Sequence, residues 1–194
     1  VSCIDPRAFC ALTHLVLLRL HDRIAFIGDH AFYLCTRLAR INLPASLSRI
    51  EDGTFYLCSR LSSVAIPSSV TNIGFMAFAN CQRLDNVLIP RSVRRIEAYA
   101  FTDCPSLRNI IIGQGVLLLE TGVFNNCSRL SAVAFQGEPP DLGWKVFYGA
   151  DLAGIYFNPW ISGWSSTFAG LPARGHDPYE DDNIRADSRA LANG

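Results

Sequence analysis

Phenylalanine stands at positions 9, 32, 55, 78, 101, 124 and 147, each 23 residues beyond the one before. Other columns keep the same interval. Three residues after the phenylalanine come Cys35, Cys58, Cys81, Cys104 and Cys127, and six after it come Leu15, Leu38, Leu61, Leu84, Leu107 and Leu130. Apolar pairs follow, such as Ile41 with Leu43, Val64 with Ile66, Val87 with Ile89 and Ile110 with Ile112. Ile27, Ile50, Ile73, Ile96 and Leu119 mark the far side of each unit. A period of this length, held by so many positions at once, is the signature of stacked coils.

A single 23-residue unit cannot bury an apolar face by itself, so each coil must be covered by its neighbours. Within each unit, Val87 and Ile89 and their counterparts lie two residues apart, on one side of a strand. Copies of that strand pair in parallel at about 4.8 Å and line a concave sheet. Pro44, Pro67 and Pro90 follow directly, where a strand ends without leaving a ladder donor missing. A second short extended piece, such as "SSVTNI", returns the chain, and segments such as "AFYLC" are expected to round the corner as short helical turns. The expected fold is a right-handed, mainly β solenoid.

The cysteines point inward from one column, stacked as small apolar side chains beside a ladder of Phe32, Phe55, Phe78, Phe101 and Phe124. Disulfides between successive coils fit a span of about 5 Å, yet a column of odd number cannot pair fully. Zinc needs ligands that converge on a tetrahedron, and a straight column does not converge. Cys3 and Cys10 lie off the column.

With 49% apolar residues among 194, there is ample material for a core. Seventeen basic and 17 acidic side chains cancel, which gives no electrostatic reason to expect nucleic acid as a partner. No apolar run approaches the roughly 20 residues needed to span a bilayer, so membrane insertion is not expected of this segment. The chain opens at Val1 partway through a repeat, as expected of an excised piece or a mature fragment.

The frames "IGDHAFYLCTRLARINLPASLSRI", "IEDGTFYLCSRLSSVAIPSSVTNI" and "IGFMAFANCQRLDNVLIPRSVRRI" resemble BspA-like leucine-rich repeats. The likeness is strong over residues 4 to 136 and weaker through "EPPDLGWKVF" and "IYFNPWISGWSSTFAGLP". It implies a leucine-rich repeat solenoid over 1–136, then a degenerate last repeat with an aromatic cap over 137–172. Residues 173–194 are polar and aperiodic and read as a mobile tail or linker. The asparagine usual in such repeats is absent: Ser46, Ser69 and Ser92 hold its place, then Gly115. A serine column can satisfy loop backbone groups as asparagine does. The resemblance also implies a binding surface on a cell-surface or secreted adhesion protein, with no catalytic activity and no cofactor.

Two surfaces are candidates for that role. Arg37, Arg60, Arg83 and Arg129 share a column that Ser106 interrupts. Guanidinium groups about 4.8 Å apart repel by only roughly 0.9 kcal/mol per pair in water, so the column is tolerable when exposed. It reads either as a solvated rim paired loosely with loop acids or as a stripe facing an acidic protein or glycan. The strand column Arg19, Asn42, Ala65, Leu88, Ile111, Ala134, Phe157 turns apolar toward its end. Leu88 and Ile111 there form either an exposed patch for a partner or a surface that a tail or cap covers.

Signals of chemistry are weak. His14, His21 and His30 occupy different columns, and "GQGVLL" from Gly113 lacks the third glycine of a dinucleotide fingerprint. The expected function is therefore recognition of a protein or glycan, with an intracellular scaffold or a plain spacer as the alternatives. A reducing cytoplasm would suit so many unpaired thiols.

Overall fold

In the computed structural model, which describes residues 2–175, the 23-residue interval becomes a hydrogen-bond register: Val133 lies beside Ile110, and Leu118 beside Arg95. One row of parallel strands comprises β2 (Leu17–Arg19), β4 (Arg40–Asn42), β7 (Asn86–Ile89), β9 (Asn109–Ile112), β11 (Ala132–Phe135) and β13 (Gly154–Phe157). The third coil joins this row only through a bridge from Asn42 to Ala65. The return leg forms shorter parallel strands: β1 (Cys3–Ile4), β3 (Phe26–Ile27), β5 (Arg49–Ile50), β6 (Asn72–Ile73), β8 (Arg95–Ile96), β10 (Leu118–Leu119) and β12 (Asp141–Leu142). Alternation sets the faces. Val87 and Ile89 of β7 are buried, while Asn86 and Leu88 stay half-buried on the other side.

The corner departs from the expected helical turns, because no helix forms among the described residues. Two positions in every coil, two residues before and two after the phenylalanine, adopt left-handed φ angles between 52° and 73°. His30, Met76 and Tyr99 occupy the first position, and Leu34, Leu57 and Asn80 the second. A left-handed residue at every fourth place excludes a right-handed helix. Instead the corner becomes a third inter-coil ladder. The N–H groups of His30, Phe32 and Leu34 donate to the carbonyls of Asp52, Thr54 and Tyr56 at 2.8, 2.9 and 3.0 Å. The same three bonds recur at each of the six junctions from Phe9 to Phe147.

Between the ladders runs the core. Phe32, Phe55, Phe78, Phe101 and Phe124 are fully buried. Ring centroids along the column from Phe9 to Phe147 are 5.1–5.8 Å apart and nearly parallel. Such offset stacks add about 0.5–1.5 kcal/mol per pair to the burial itself.

Near the C-terminal end the register shortens, since Val133 pairs with Ile155, 22 residues on. Ala134 therefore faces Tyr156, and Phe157 leaves the strand column in which periodicity placed it. β14 (Thr167–Phe168) and β15 (Leu171–Gly175) finish the described chain, β15 lying parallel to β13 and antiparallel to β14. Trp164 stacks on Phe157 at 4.8 Å, meets Phe135 and Phe168 at 5.0 Å, and donates its indole N–H to the Gly137 carbonyl at 3.1 Å. β15 runs past 173, where the sequence suggested that the tail begins; residues 176–194 lie outside the described residues.

Two substitutions separate the core from the corner. Phe78→Ala should lower unfolding free energy by about 3–5 kcal/mol. Gly122→Ala should cost about 1–2 kcal/mol from the left-handed backbone, with more from the Tyr99 ring, 2.5 Å from the added carbon. Urea denaturation of the whole chain measures both; a Gly122→Ala variant as stable as the parent would refute the corner geometry.

Candidate binding face

Arg37, Arg60, Arg83 and Arg129 all project into solvent from the segment that leads out of each corner into the strand row. None of the four makes an ion pair among the described residues. Three other arginines behave differently. Arg49 binds Glu51 at 2.6 Å, Glu97 at 3.0 Å and Asp52 at 3.5 Å, and Asn72 donates to the same Glu97 oxygen at 2.6 Å. Arg95 pairs with Glu120, whose second oxygen accepts the Ala98 N–H at 2.9 Å, and Arg108 lies 3.5 Å from Asp85. Glu51, Asp52, Glu97, Glu120 and Asp85 are thus matched to other arginines, and the rim column stands without an acidic partner among the described residues. Glu51 carries a raised pKa because burial outweighs the opposing hydrogen bond and charge of Arg49.

The apolar strand patch is smaller than the sequence suggested. Ile111 is only 6% exposed, flanked in register by Leu88 and Ala134, and Ala134 is only 9% exposed. Leu88 stays half-buried, beside Asn86, whose side-chain oxygen accepts the Asn109 amide at 3.0 Å. The arginine column and these two residues belong to the same broad side of the coils, but only the arginines stand clear of it.

The five column cysteines are fully buried and unpaired. Each thiol donates to the carbonyl of the phenylalanine one coil back: Cys35 to Phe9 at 3.0 Å, Cys58 to Phe32 at 3.1 Å, Cys81 to Phe55 at 3.4 Å, Cys104 to Phe78 at 3.2 Å and Cys127 to Phe101 at 3.1 Å. In Phe32, Phe55 and Phe78 the same carbonyl also accepts the N–H of its own coil's cysteine, for Phe55 from Cys58 at 3.0 Å. The thiol therefore serves as a hydrogen-bond donor, beyond the apolar filler that spacing suggested. Burial pushes all five pKa values up, that of Cys127 to about 12. A thiol kept protonated is a poor nucleophile and a poor metal ligand. No group of three or more metal-ligating side chains gathers among the described residues.

The serine column holds in part. Ser46 donates to Asp22 and Ile24 carbonyls at 3.0 and 2.8 Å, and Ser69 to Leu47 at 2.7 Å. The Ser92 hydroxyl has no partner among the described residues. Gly115 breaks the series because a Cβ there would run into the Arg91 carbonyl oxygen. Glycine in "GQGVLL" thus permits a close approach of backbones, the reason such residues stand there.

This geometry defines a parallel β-solenoid of the leucine-rich class. The model for the BspA type leucine-rich repeat region matches in six copies, over residues 1–75 and 50–168. The chain belongs to that family. Among solved structures it is similar to the T. pallidum leucine-rich repeat protein, with 30% identity and a TM-score of 0.75 over 98% of this chain and 77% of that one. It shares its fold with the pneumococcal vaccine antigen PcpA at 14% identity and TM-score 0.66, over 84% of this chain and 42% of that one. It also shares it with a leucine-rich cell surface protein of Faecalibacterium prausnitzii at 22% identity and TM-score 0.57, over 91% and 55%. Comparison with curated proteins gives no match. No helix among the described residues is long and apolar enough to cross a membrane.

Thiol labelling tests the ladder. In the native chain only Cys3 and Cys10 should react with an aromatic disulfide reagent at neutral pH, and the other five only on unfolding. Alkaline pH should also destabilise the fold. The folded thiols hold protons that the unfolded chain releases above about pH 8.5, so stability is full below that pH and falls above it. Each column thiol contributes a slope of up to roughly 1.4 kcal/mol per pH unit. Denaturant midpoints between pH 7 and 10 measure it, and a flat profile would contradict the buried ladder.

Proposed function

We propose that the chain is a non-catalytic recognition module that holds an anionic protein or glycan along Arg37, Arg60, Arg83 and Arg129. The observation that carries this reading is placement: four exposed arginines stand one per coil, apart from the gap at Ser106, in a single column, and none has an acidic partner among the described residues. A row of guanidinium groups at coil spacing matches carboxylates or sulfates repeated along an extended ligand. The scaffold is preorganised by three ladders, so little ordering entropy is lost on contact. We place the module at a cell surface or in secreted form, the setting named for the F. prausnitzii relative. Leu88 supplies apolar contact at the margin, and Ile111 supports it from below.

The test is binding to immobilised matrix proteins and acidic glycans at low and moderate salt. The parent chain is compared with a variant in which Arg37, Arg60, Arg83 and Arg129 are alanine. The variant should unfold at an unchanged denaturant midpoint and lose at least about tenfold in affinity, with a shallower salt dependence. Equal binding by a folded variant would remove the rim from the site. Absence of any partner would favour the spacer reading.

A further inference from the structure

The corner ladder has an open end. At every junction from Phe9 to Phe124, three N–H groups of one coil donate to three carbonyls of the next. In the coil of Phe147 the equivalent donors are Lys145, Phe147 and Gly149, and none of them has an acceptor among the described residues. The carbonyls of that coil are used, since Trp144, Val146 and Tyr148 accept from Gly122, Phe124 and Asn126. The strand row is treated differently, because β15 pairs along β13 there. Next to the open donors lies a slot of about 290 Å³, bounded by Val146, Phe147 and Tyr148 on one side and by Ala169 and Leu171 on the other. Trp144 and Tyr148 are 69% and 59% exposed, and the ammonium of Lys145 rests over both rings at 4.1 and 4.6 Å. Lys145 has no acidic partner among the described residues.

We propose that this edge is a docking site for a polypeptide segment of a partner protein that takes up the corner's own backbone shape, left-handed two residues before and after its aromatic residue, and so adds one more rung to the corner ladder. Main-chain pairing at an open ladder edge supplies affinity, and side-chain pockets supply selectivity. The register of the array itself specifies the occupant. Three carbonyls at alternate residues meet Lys145, Phe147 and Gly149, just as those of Asp29, Ala31 and Tyr33 meet Arg7, Phe9 and Ala11. An aromatic side chain between the second and third carbonyls is aimed at the slot, whose wall includes Phe147, the last ring of the stack, itself only 6% exposed. An acidic residue three places before the aromatic one, where Asp29 and Asp52 stand in their own coils, comes beside the Lys145 ammonium. The ligand class is therefore a corner-shaped segment of the pattern acid-x-x-aromatic. This site is separate from the arginine rim and does not depend on that assignment.

The probe is a labelled synthetic peptide with the sequence of residues 26–38 of this chain, carrying serine for Cys35, titrated into the whole chain by fluorescence anisotropy. Saturable binding is expected, weakened at least about tenfold in a peptide with Phe32→Ala and in chain variants Lys145→Glu and Ala169→Trp, the last of which fills the slot. Amide hydrogen exchange reads the edge directly, whatever the variants do to folding. Lys145, Phe147 and Gly149 should exchange at least about 100-fold faster than Gly122, Phe124 and Asn126 in the free chain, and should become protected when peptide binds. Protection in the free chain at low concentration would mean that the edge is already paired within the molecule, and would overturn the proposal. Self-association without peptide that protects the same amides would give the edge to a second copy and overturn it as well. Equal affinity for the Phe32→Ala peptide, or no saturable binding, would do the same.

Discussion

The phenylalanine carbonyl is the point on which the coils turn. In Phe32, Phe55 and Phe78 it accepts the N–H of a cysteine in its own coil and the thiol of the cysteine in the next, while the ring stacks between its neighbours. Moving one coil by a single residue would break these contacts together and put the wrong side chains into the core. The strict 23-residue interval follows from that, and the three ladders are the same interval expressed in backbone. Because each ladder bond crosses from coil to coil, stability belongs to the junctions far more than to any coil alone.

Much of this was legible in the sequence because inward positions in a stack have few options. Phenylalanine, cysteine and leucine recur where a side chain must fill a fixed space, and the strands follow from the pairs two residues apart, such as Val87 and Ile89. The corner was not legible. Its left-handed positions hold His30, Met76, Tyr99 and Lys145 as readily as Gly53 and Gly122, so residue type carries little trace of the backbone there. The "AFYLC" pattern looks helical only while φ is taken to be ordinary. The shift of Tyr156 for Phe157 also escaped, since one deleted residue leaves no mark once the columns have decayed.

The candidate rim could be named from the sequence, but its state could not. Periodicity places Arg37, Arg60, Arg83 and Arg129 together; it does not reveal which acids in the loops are already engaged. That needs Arg49 reaching past Asn72 to Glu97 and Arg108 beside Asp85. The apolar strand residues show the opposite error: Ile111 occupies an outward register position, yet flanking side chains in register cover nearly all of it. Outward pointing and exposure are separate properties wherever large residues sit side by side on a sheet.

Arg49 and Glu97 belong to coils two apart, with Asn72 of the coil between them held to the same carboxylate. Most contacts in a stack of this kind tie only adjacent units, which lets an array peel from an end one unit at a time. A clamp across three consecutive units makes them open as a block. Unwinding that starts at either end therefore meets a pause at this girdle, and a pulling experiment on the chain should record it as one long step among shorter ones.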